Sequence, residues 1–325
     1  MHKEFPTRIP EARLARALAE EEAAPGSPDA GLRALPKADV HCHALLNAPL
    51  AAYEEIQGRA LPKPPARFTD FSHFGGYLAT HLFPATRTLA GVRALLRAGL
   101  ERMADEGVAY AEASVDLLLP LHIQVAPEAV IEAVAEERDR IAPRLRWAPE
   151  IGINRRIPSE KLWPSFVAHL KSGMFRSIDL YDDERAGDLR EVARFYRAAG
   201  ERGLVLKAHA GEICGPERVR ETVEMLSVDA IQHGIAAASD PRLLEELALR
   251  GTQLNVSPAS NIAFGAASSY ESHPIRTLLA AGVNVALGTD DFTLFGASLC
   301  DQVLGLHRAG MPVSDLAKIR LGPPA

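Results

Sequence analysis

The chain has 325 residues, of which 47% are hydrophobic and 24% are charged. Its formal net charge of −6 comes from 36 basic and 42 acidic residues, and no block of lysine and arginine stands out. These values are typical of a globular protein and give no support for nucleic-acid binding. The start of the chain lacks the apolar segment of a signal peptide, and no run of about 18 apolar residues occurs. We therefore expect a cytoplasmic protein that does not bind membranes.

The first predicted element is a helix over residues 10–23, which the Pro-Gly-Ser-Pro stretch at 25–28 ends. Eight short runs typical of β-strands then follow along the chain. Most of them are apolar without alternation, which indicates strands that are buried on both faces. These runs are residues 38–43, 108–115, 147–153, 177–181, 204–209, 230–233, 252–256 and 283–288.

Segments with a helical spacing of apolar residues separate most of these strands. They are residues 89–106, 127–140, 188–202, 216–226, 241–249 and 273–281. Strands that alternate with helices predict an α/β protein with a (β/α)8 TIM barrel. A doubly wound sheet is the alternative, but no glycine-rich turn follows the first strand. We expect residues 1–325 to form a single domain, in which residues 1–34 are an N-terminal helical extension.

The longest connection, roughly residues 44–88, follows the first strand. Its Leu-Pro-Lys-Pro-Pro stretch at 61–65 resists regular structure. A long insertion on the face that carries the strand ends is a candidate lid. Its ring-bearing side chains either stack on a ligand or form the core of the lid itself. They are Phe68, Phe71, Phe74, Tyr77, His81 and Phe83.

Polar side chains close three of the predicted strands. His41 and His43 are separated by one residue, so both point to the same face of the first strand. His209 ends the fifth strand, and Asp290 follows the eighth, where a buried carboxylate is costly unless it is paired or bound to a metal. Since parallel barrel strands end on one face, the set predicts a zinc site with a position left for water. The alternative is that each histidine is a hydrogen-bonded core residue.

Three further residues lie beside these strand ends. Glu212 follows His209 by three positions, and a carboxyl group that is near a metal but not bound to it suits proton transfer. His233 closes the sixth strand, where it would orient or deprotonate a water molecule. Asp291 adjoins Asp290 and is a candidate for a hydrogen bond to the substrate. The alternatives are a solvated loop glutamate, a core histidine and a helix cap, respectively.

Together these residues resemble the adenosine/adenine/AMP deaminase family of the metal-dependent (amidohydrolase) superfamily. The resemblance covers about residues 35–299, and its most specific parts are His-Ala-Gly-Glu and Gly-Thr-Asp-Asp. The matching stretches are residues 35–43 (Leu-Pro-Lys-Ala-Asp-Val-His-Cys-His), 209–212 (His-Ala-Gly-Glu), 232–234 (Gln-His-Gly), 257–261 (Ser-Pro-Ala-Ser-Asn) and 288–291 (Gly-Thr-Asp-Asp).

The resemblance implies one zinc ion per chain. The implied ligands are His41, His43, His209 and Asp290. Binuclear sites in related barrels often need a carboxylated lysine on the fourth strand. Residues 177–184 contain no lysine, and Lys207 lies on the fifth strand. A mononuclear site is therefore favoured.

The resemblance also implies the chemistry. Glu212 would protonate the ring nitrogen N1 of a purine, His233 would help to activate water, and Asp291 would hydrogen-bond purine N7. Asp290 belongs to the catalytic set as well as to the ligands. Zinc lowers the pKa of bound water toward about 7, so that hydroxide adds to the amine-bearing carbon and ammonia leaves. The predicted activity is the hydrolytic deamination of adenosine, a modified adenine nucleoside or adenine.

Two departures from the family pattern bear on the substrate. Adenosine deaminases have an aspartate that contacts the ribose 5′-hydroxyl, whereas this chain has Leu45. The family has a glycine whose backbone faces purine N3, whereas this chain has Asp182, next to Tyr181. A carboxylate at this place either crowds the purine or accepts hydrogen bonds from a ring with additional N–H groups. Leu45, Tyr181 and Asp182 are therefore predicted to contact the substrate.

Other functions remain open on the sequence alone. The same metal site would serve a deaminase of a non-purine amino-heterocycle, or a hydrolase of a lactone, ester or amide, although Glu212 and Asp291 both fit a nitrogen heterocycle. A non-catalytic, nucleoside-binding member would normally have lost a ligand or the acid, and neither is lost here. In each case we expect a small-molecule partner, an amino-heterocycle or nucleoside. The sequence leaves a homo-oligomer open.

Overall fold

The computed structural model describes residues 3–25 and 31–324; residues 26–28 of the predicted helix-ending stretch lie outside this part. Eight parallel strands follow one another in chain order in a single sheet, which curls into a nearly closed barrel. The predicted α/β barrel is thus confirmed. The strands are β1 (Lys37–His43), β2 (Val108–Asp116), β3 (Glu150–Asn154), β4 (Ser177–Tyr181), β5 (Val205–Ala210), β6 (Ala230–His233), β7 (Gln253–Val256) and β8 (Asn284–Leu287).

The prediction of one strand over residues 147–153 was wrong in its detail. A two-residue strand, Arg146–Trp147, pairs with β2, and β3 begins only at Glu150. Pro149 lies between them, and a proline lacks the N–H group that a continuous strand would need here. The other seven strands lie where the sequence predicted them, with ends that differ by one residue or none.

Helices cover the outside of the barrel. They are α1 (Glu11–Ala23), α2 (Leu50–Gln57), α3 (Phe71–Tyr77), α4 (Leu89–Asp105), α5 (Leu119–His122), α6 (Pro127–Ile141), α7 (Ser159–Ser172), α8 (Leu189–Glu201), α9 (Pro216–Leu226), α10 (Pro241–Arg250), α11 (Pro258–Ala263), α12 (Ile275–Ala280), α13 (Phe292–Phe295), α14 (Leu299–Arg308) and α15 (Val313–Leu316). The predicted N-terminal helix corresponds to α1. Within residues 3–25 and 31–324, none of these helices is both long enough and apolar enough to span a membrane.

The sequence did not predict α7, which connects β3 to β4. Pro164 lies in its second turn and removes one backbone hydrogen bond, so the segment lacks a clear helical signal. The helix forms because Leu162 and Phe166 are fully buried against the barrel. This burial outweighs the missing hydrogen bond, since a buried large apolar side chain contributes about 1.5–3 kcal/mol.

Two sets of contacts close the barrel between β8 and β1. At the carboxyl ends of the strands, the Asp290 N–H donates to the His41 carbonyl oxygen at 2.8 Å. Gly288 permits this approach, because a Cβ atom there would lie 2.4 Å from the Cβ atom of His41. At the opposite end, the Ala38 N–H donates to the Leu321 carbonyl oxygen at 2.7 Å, so the C-terminal segment lies between the two strands.

We call residues 44–88, which connect β1 to α4, the cap segment. It contains α2, α3 and short 3-10 and π-helical turns, and residues 60–65 have no regular structure, as predicted. Phe68 and Tyr77 are buried in a hydrophobic cluster of the cap segment itself. Its other phenylalanines, Phe71, Phe74 and Phe83, line a cavity above the barrel. The two roles that the sequence left open for these rings are therefore divided between them.

Candidate active site

The strand ends bring four of the predicted side chains together. His41 Nε2 on β1 lies 3.1 Å from His209 Nε2 on β5. An Asp290 carboxylate oxygen lies 3.9 Å from His41 Nε2 and 3.6 Å from His43 Nε2. Ligand nitrogens of His41, His43 and His209 lie within 4.8 Å of one another in the barrel mouth, and Asp290 adjoins two of them, which is a donor set that suits zinc.

The second nitrogen of each of these histidines is held by the protein. His41 Nδ1 lies 3.1 Å from the Asn255 carbonyl oxygen, which can only accept a hydrogen bond. His209 Nδ1 lies 3.2 Å from an Asp179 carboxylate oxygen, and His43 Nδ1 lies 2.8 Å from the Ser114 hydroxyl. With the proton on Nδ1, the lone pair of each Nε2 points to the common centre. Such outer partners are characteristic of metal-ligating histidines.

The electrostatics of the site fit a bound cation. Burial and the neighbouring imidazoles hold the pKa of His41 well below its usual range, and burial with His209 lowers the pKa of His43 to about 3. Both rings are therefore neutral, as metal ligation requires. Burial raises the pKa of Asp290 to about 6, although a fixed positive charge at the centre would stabilise its carboxylate. These residues form a metal-binding His/Asp site.

Glu212 lies beside this site. Its side chain is 7% exposed, and its Oε2 atom is 3.4 Å from His233 Nε2. Its Oε1 atom accepts hydrogen bonds from Ser260 Oγ at 3.0 Å and from Asn261 Nδ2 at 2.9 Å. Burial, together with the carboxylates of Asp290 and Glu184, raises the pKa of Glu212 to about 8. Glu212 is therefore protonated at neutral pH, and since Oε1 already accepts two hydrogen bonds, its proton belongs on Oε2.

A directed chain of hydrogen bonds determines which nitrogen of His233 carries the proton. The Ile275 N–H donates to His273 Nδ1 at 3.1 Å, so the neutral His273 ring donates from Nε2 to Asn261 Oδ1 at 3.2 Å. The Asn261 amide nitrogen then faces His233 Nδ1 at 3.1 Å. His233 accepts there, so its Nε2 atom carries the hydrogen and points to Glu212 and Asp290. Unlike the other three histidines, His233 presents a donor to the site.

Three residues of the barrel mouth have left-handed backbone conformations. They are Asp182 with φ 81°, His233 with φ 65° and Asp290 with φ 57°. Residues other than glycine rarely adopt such φ angles, and those that do cluster at functional sites. At His233 and Asp290 the turn occurs at the strand end and directs the side chain over the barrel opening.

The predicted substrate residues Leu45, Tyr181 and Asp182 all line the cavity above the metal position. The Tyr181 ring contacts the His43 ring, with centroids 4.9 Å apart. Asp182 is at a left-handed position suited to the family's glycine, but Asn154 Nδ2 donates to its carboxylate at 2.8 Å. This contact holds the carboxylate to the neighbouring strand end.

Asp291 also lines the cavity, and its Oδ1 atom has no hydrogen-bond partner in the described part of the chain. Its side chain does not cap α13, so the helix-cap alternative has no support. Burial, with Asp290 and Glu212 nearby, raises the pKa of Asp291 well above its usual range. A buried polar atom without a partner is suited to a hydrogen bond with a ligand.

Lys207 takes no part in this site. Its ammonium group is buried below the metal position, where it pairs with Glu112 and, at 2.7 Å, with Glu150. These two carboxylates raise the pKa of Lys207 against the effect of burial, so the side chain stays charged. It is thus already paired with two carboxylates.

Sequence reasoning missed several residues of the site. Glu184 accepts hydrogen bonds from the backbone N–H groups of Gly211, Glu212 and Ile213 at 2.6, 2.7 and 3.0 Å. Asp116 ends β2 and lines the cavity, a position that a carboxylate after an apolar strand could have indicated. His273 lies in a loop before α12, and no pattern in the sequence pointed to it.

Comparisons with known proteins agree with this architecture. The family model described as adenosine deaminase matches residues 60–320. An adenine deaminase of Rhizobium rhizogenes is 30% identical over 282 residues, which cover 82% of this chain and 85% of that protein. An adenine deaminase of Rhodospirillum rubrum is 28% identical over 290 residues, which cover 86% and 87%.

A solved structure also resembles this chain in fold. The crystal structure of an adenine deaminase from Arthrobacter aurescens matches this fold with a TM-score of 0.74 and 26% identity, covering 85% of this chain and 88% of that one. The barrel and its His/Asp site define a metal-dependent hydrolase. The chain belongs to the adenosine deaminase family within the amidohydrolase superfamily. The resemblance predicted from the strand-end motifs is thereby confirmed.

Proposed function

We propose that this protein is a zinc-dependent aminohydrolase that replaces the exocyclic amino group of a 6-aminopurine base or nucleoside by oxygen and releases ammonia. One zinc ion per chain would be held by His41, His43, His209 and Asp290. The observation that carries the proposal is the buried carboxyl group of Glu212, which lies beside the metal position but outside the ligand set and accepts hydrogen bonds from Ser260 and Asn261.

Glu212 is the proton donor of the proposed reaction. With its Oε1 atom held by Ser260 and Asn261, the proton on Oε2 faces the cavity. A ring nitrogen next to the amine-bearing carbon can take this proton while a water oxygen adds to the carbon. The negative charge that develops on the ring is then neutralised as it forms, which is the usual gain from general acid catalysis.

The metal, when bound, supplies a water activated at neutral pH. His233 Nε2 carries a hydrogen and so orients this water by donating to it, instead of removing its proton. The carboxylate of Asp290, ionised at neutral pH, is left as the proton acceptor, 3.8 Å from His233 Nε2. The carbon–nitrogen bond breaks as the amino group is protonated, so C–NH2 and H2O become C=O and NH3.

Asp291 would fix the orientation of the ring. Burial and the neighbouring Asp290 and Glu212 raise its pKa, which favours the protonated carboxyl group that would donate to an acceptor nitrogen such as purine N7. A simple lactone or ester has no ring nitrogen for Glu212 to protonate and none for Asp291 to bind. The presence of both Glu212 and Asp291 therefore favours a nitrogen heterocycle over the hydrolysis of another bond.

The Glu212→Gln variant tests the proposal. We expect it to lose nearly all ammonia release from adenine and adenosine, by about 10²–10⁴-fold, while it retains zinc. The matched control is Glu217→Gln, an exposed glutamate five residues further on, which should keep the wild-type rate. Wild-type turnover in Glu212→Gln, or no ammonia from either substrate with the zinc-loaded protein, would contradict the proposal.

A further inference from the structure

The cavity above the metal position has two different halves. Around the metal it is polar and carries the residues described above. Further out, apolar side chains of the cap segment and of the neighbouring loops line it: Leu45, Leu46, Phe71, Phe74, Leu78 and Phe264. A free purine base would be held by the polar half alone, because its ring nitrogens need only Glu212 and Asp291.

Three phenylalanine rings form a continuous wall of the outer half. The Phe71 and Phe264 rings are stacked, with centroids 5.5 Å apart and planes at 17°. Phe74 packs against both, at 5.3 Å from Phe71 and 5.2 Å from Phe264. All three are only partly buried, and Phe83 at the rim is 42% exposed. An apolar group that covered this surface would be stabilised, because apolar area on both sides is removed from water.

The side chains that line the cavity disfavour an anionic substituent. No lysine or arginine among the described residues lines it, whereas five carboxyl groups do. These are Asp116, Asp182, Glu212, Asp290 and Asp291. A phosphate group in the outer half would meet no fixed cation and would be desolvated against aromatic rings, which is costly.

Leu45 brings the apolar lining close to the metal position. It follows His43 by two residues and lines the same cavity. A leucine side chain cannot accept a hydrogen bond, so a sugar hydroxyl beside it would lose its partner in water, whereas an apolar group would be favourably buried.

We propose that the preferred substrate is an adenine nucleoside whose 5′ carbon bears an uncharged apolar group, alkylthio or aryl, in place of the hydroxyl. This group lies against Leu45 and the wall formed by Phe71, Phe74 and Phe264. The inference rests on the proposed deaminase function and names the substrate class of the same site.

The test measures kcat/KM for ammonia release by the zinc-loaded protein from five compounds. They are adenine, adenosine, 5′-deoxy-5′-(methylthio)adenosine, 5′-deoxy-5′-(phenylthio)adenosine and AMP. We expect both thioethers to exceed adenosine by about tenfold or more, because added apolar groups in such pockets change kcat/KM by about 10- to 200-fold. AMP should react more slowly than adenosine and both thioethers.

A pair of leucine-to-aspartate variants locates the effect. In Leu45→Asp the ratio of kcat/KM for the methylthio compound to that for adenosine should fall by about tenfold or more, because the carboxylate accepts the 5′-hydroxyl and repels the thioether. The matched control is Leu249→Asp, a residue of α10 that is 81% exposed and does not line the cavity. There the ratio should equal that of the wild type.

The outcomes separate this inference from the proposed function. If adenosine, adenine or AMP reacts at least as fast as the thioethers, or if Leu45→Asp leaves the ratio unchanged, the inference is wrong and the deaminase function stands. If none of the five compounds releases ammonia, both the proposed deaminase function and the inference about its substrate are wrong. The function and the inference are both supported if the thioethers react fastest and if their kcat/KM ratio to adenosine falls in Leu45→Asp but not in Leu249→Asp.

Discussion

At the scale of single residues, the site contains four histidines of two kinds. His41 and His209 face oxygen acceptors with Nδ1, so their Nε2 atoms can present lone pairs, as can that of His43 when its Nδ1 donates to the Ser114 hydroxyl. His233 instead accepts at Nδ1 and presents a hydrogen. The sequence placed all four at strand ends, since that depends only on the strand pattern. It could not assign their protonated nitrogens, because these depend on hydrogen bonds with residues far away in the chain.

His273 offers a test of this assignment. Replacing it with phenylalanine removes the donor that fixes the Asn261 amide, so the amide can turn and His233 can shift its proton to Nδ1. We expect His273→Phe to lower kcat by about 10- to 100-fold, with zinc content and KM close to wild type. The measurement is steady-state kinetics with metal analysis, and ¹⁵N shifts of His233 report its tautomer.

The control for this prediction is His273→Gln, whose side-chain amide can still donate to Asn261. It should recover a large part of kcat and retain the wild-type tautomer of His233. An equal loss in both variants, without a change of tautomer, would mean that His273 serves only to pack the loop before α12. Burial lowers the pKa of His273 to about 4, so its ring stays neutral near neutral pH and the two variants can be compared there directly.

A pH profile gives a second test at this scale. Glu212 acts as a donor only while it is protonated, so kcat/KM should fall as the pH rises through the pKa of Glu212. That pKa is about 8 in the metal-free protein, and a bound cation lowers it, so the decline should be centred at or below this value. A rate that continues to rise through the alkaline range would exclude Glu212 as the acid.

At the scale of elements, two neighbouring strand–helix loops support each other. Glu184, in the loop after β4, is 3% exposed and accepts three hydrogen bonds from the loop after β5. That second loop carries Glu212. The sequence identified the second loop by its His-Ala-Gly-Glu motif but gave no reason to connect it with Glu184, because the contact exists only when β4 and β5 lie side by side.

The Glu184→Gln variant should therefore reduce both stability and turnover. A glutamine places an amide donor against backbone N–H groups, and each buried N–H left without an acceptor costs about 1–3 kcal/mol. We expect the free energy of unfolding to fall by this amount or more, and kcat to fall because Glu212 is displaced. Denaturant unfolding and steady-state kinetics measure the two effects.

Asp183→Asn provides the matched control for Glu184→Gln. Asp183 is the adjacent residue, and its carboxylate pairs with Arg185, whose side chain is 60% exposed. Loss of such a surface pair changes stability by only about 0–1 kcal/mol. If the two variants behave alike, the three backbone hydrogen bonds do not determine the position of Glu212.

The cap segment shows what sequence patterns can and cannot predict about an element. Its length and its unstructured 60–65 stretch follow from the spacing of the strands and from the prolines. The division of its phenylalanines between its own core and the cavity does not, since Phe68 and Phe71 have the same chemistry and lie three residues apart. Their roles differ because Phe71 begins α3, whereas Phe68 precedes this helix and its N–H donates to the Ala263 carbonyl oxygen at 2.9 Å.

At the scale of the whole molecule, the metal-site residues come from the ends of β1 and β5 and from the segment after β8, so β1 and β8 contribute both to the metal site and to barrel closure. Asp39 accepts a hydrogen bond from the Thr289 hydroxyl at 2.6 Å and thereby links β1 to β8 beside the ligands. The sequence predicted the barrel from its alternating elements. It gave no indication that the C-terminal segment lies between these two strands, because residues 320–322 form no strand of their own.

Removal of the metal should therefore destabilise the whole barrel. Zinc that binds only the folded state adds about 4 kcal/mol when its free concentration is a thousandfold above Kd. We expect chelation to lower Tm, and added zinc to restore it in the wild type and in the control His73→Ala, an exposed histidine of α3. His209→Ala should lose this zinc-dependent increase in Tm, because the site then lacks a ligand whose partner Asp179 remains buried. The increase should also disappear on acidification, since protonated imidazoles cannot bind metal. A zinc response that is equal in His209→Ala and His73→Ala would show that the stabilising ion binds elsewhere.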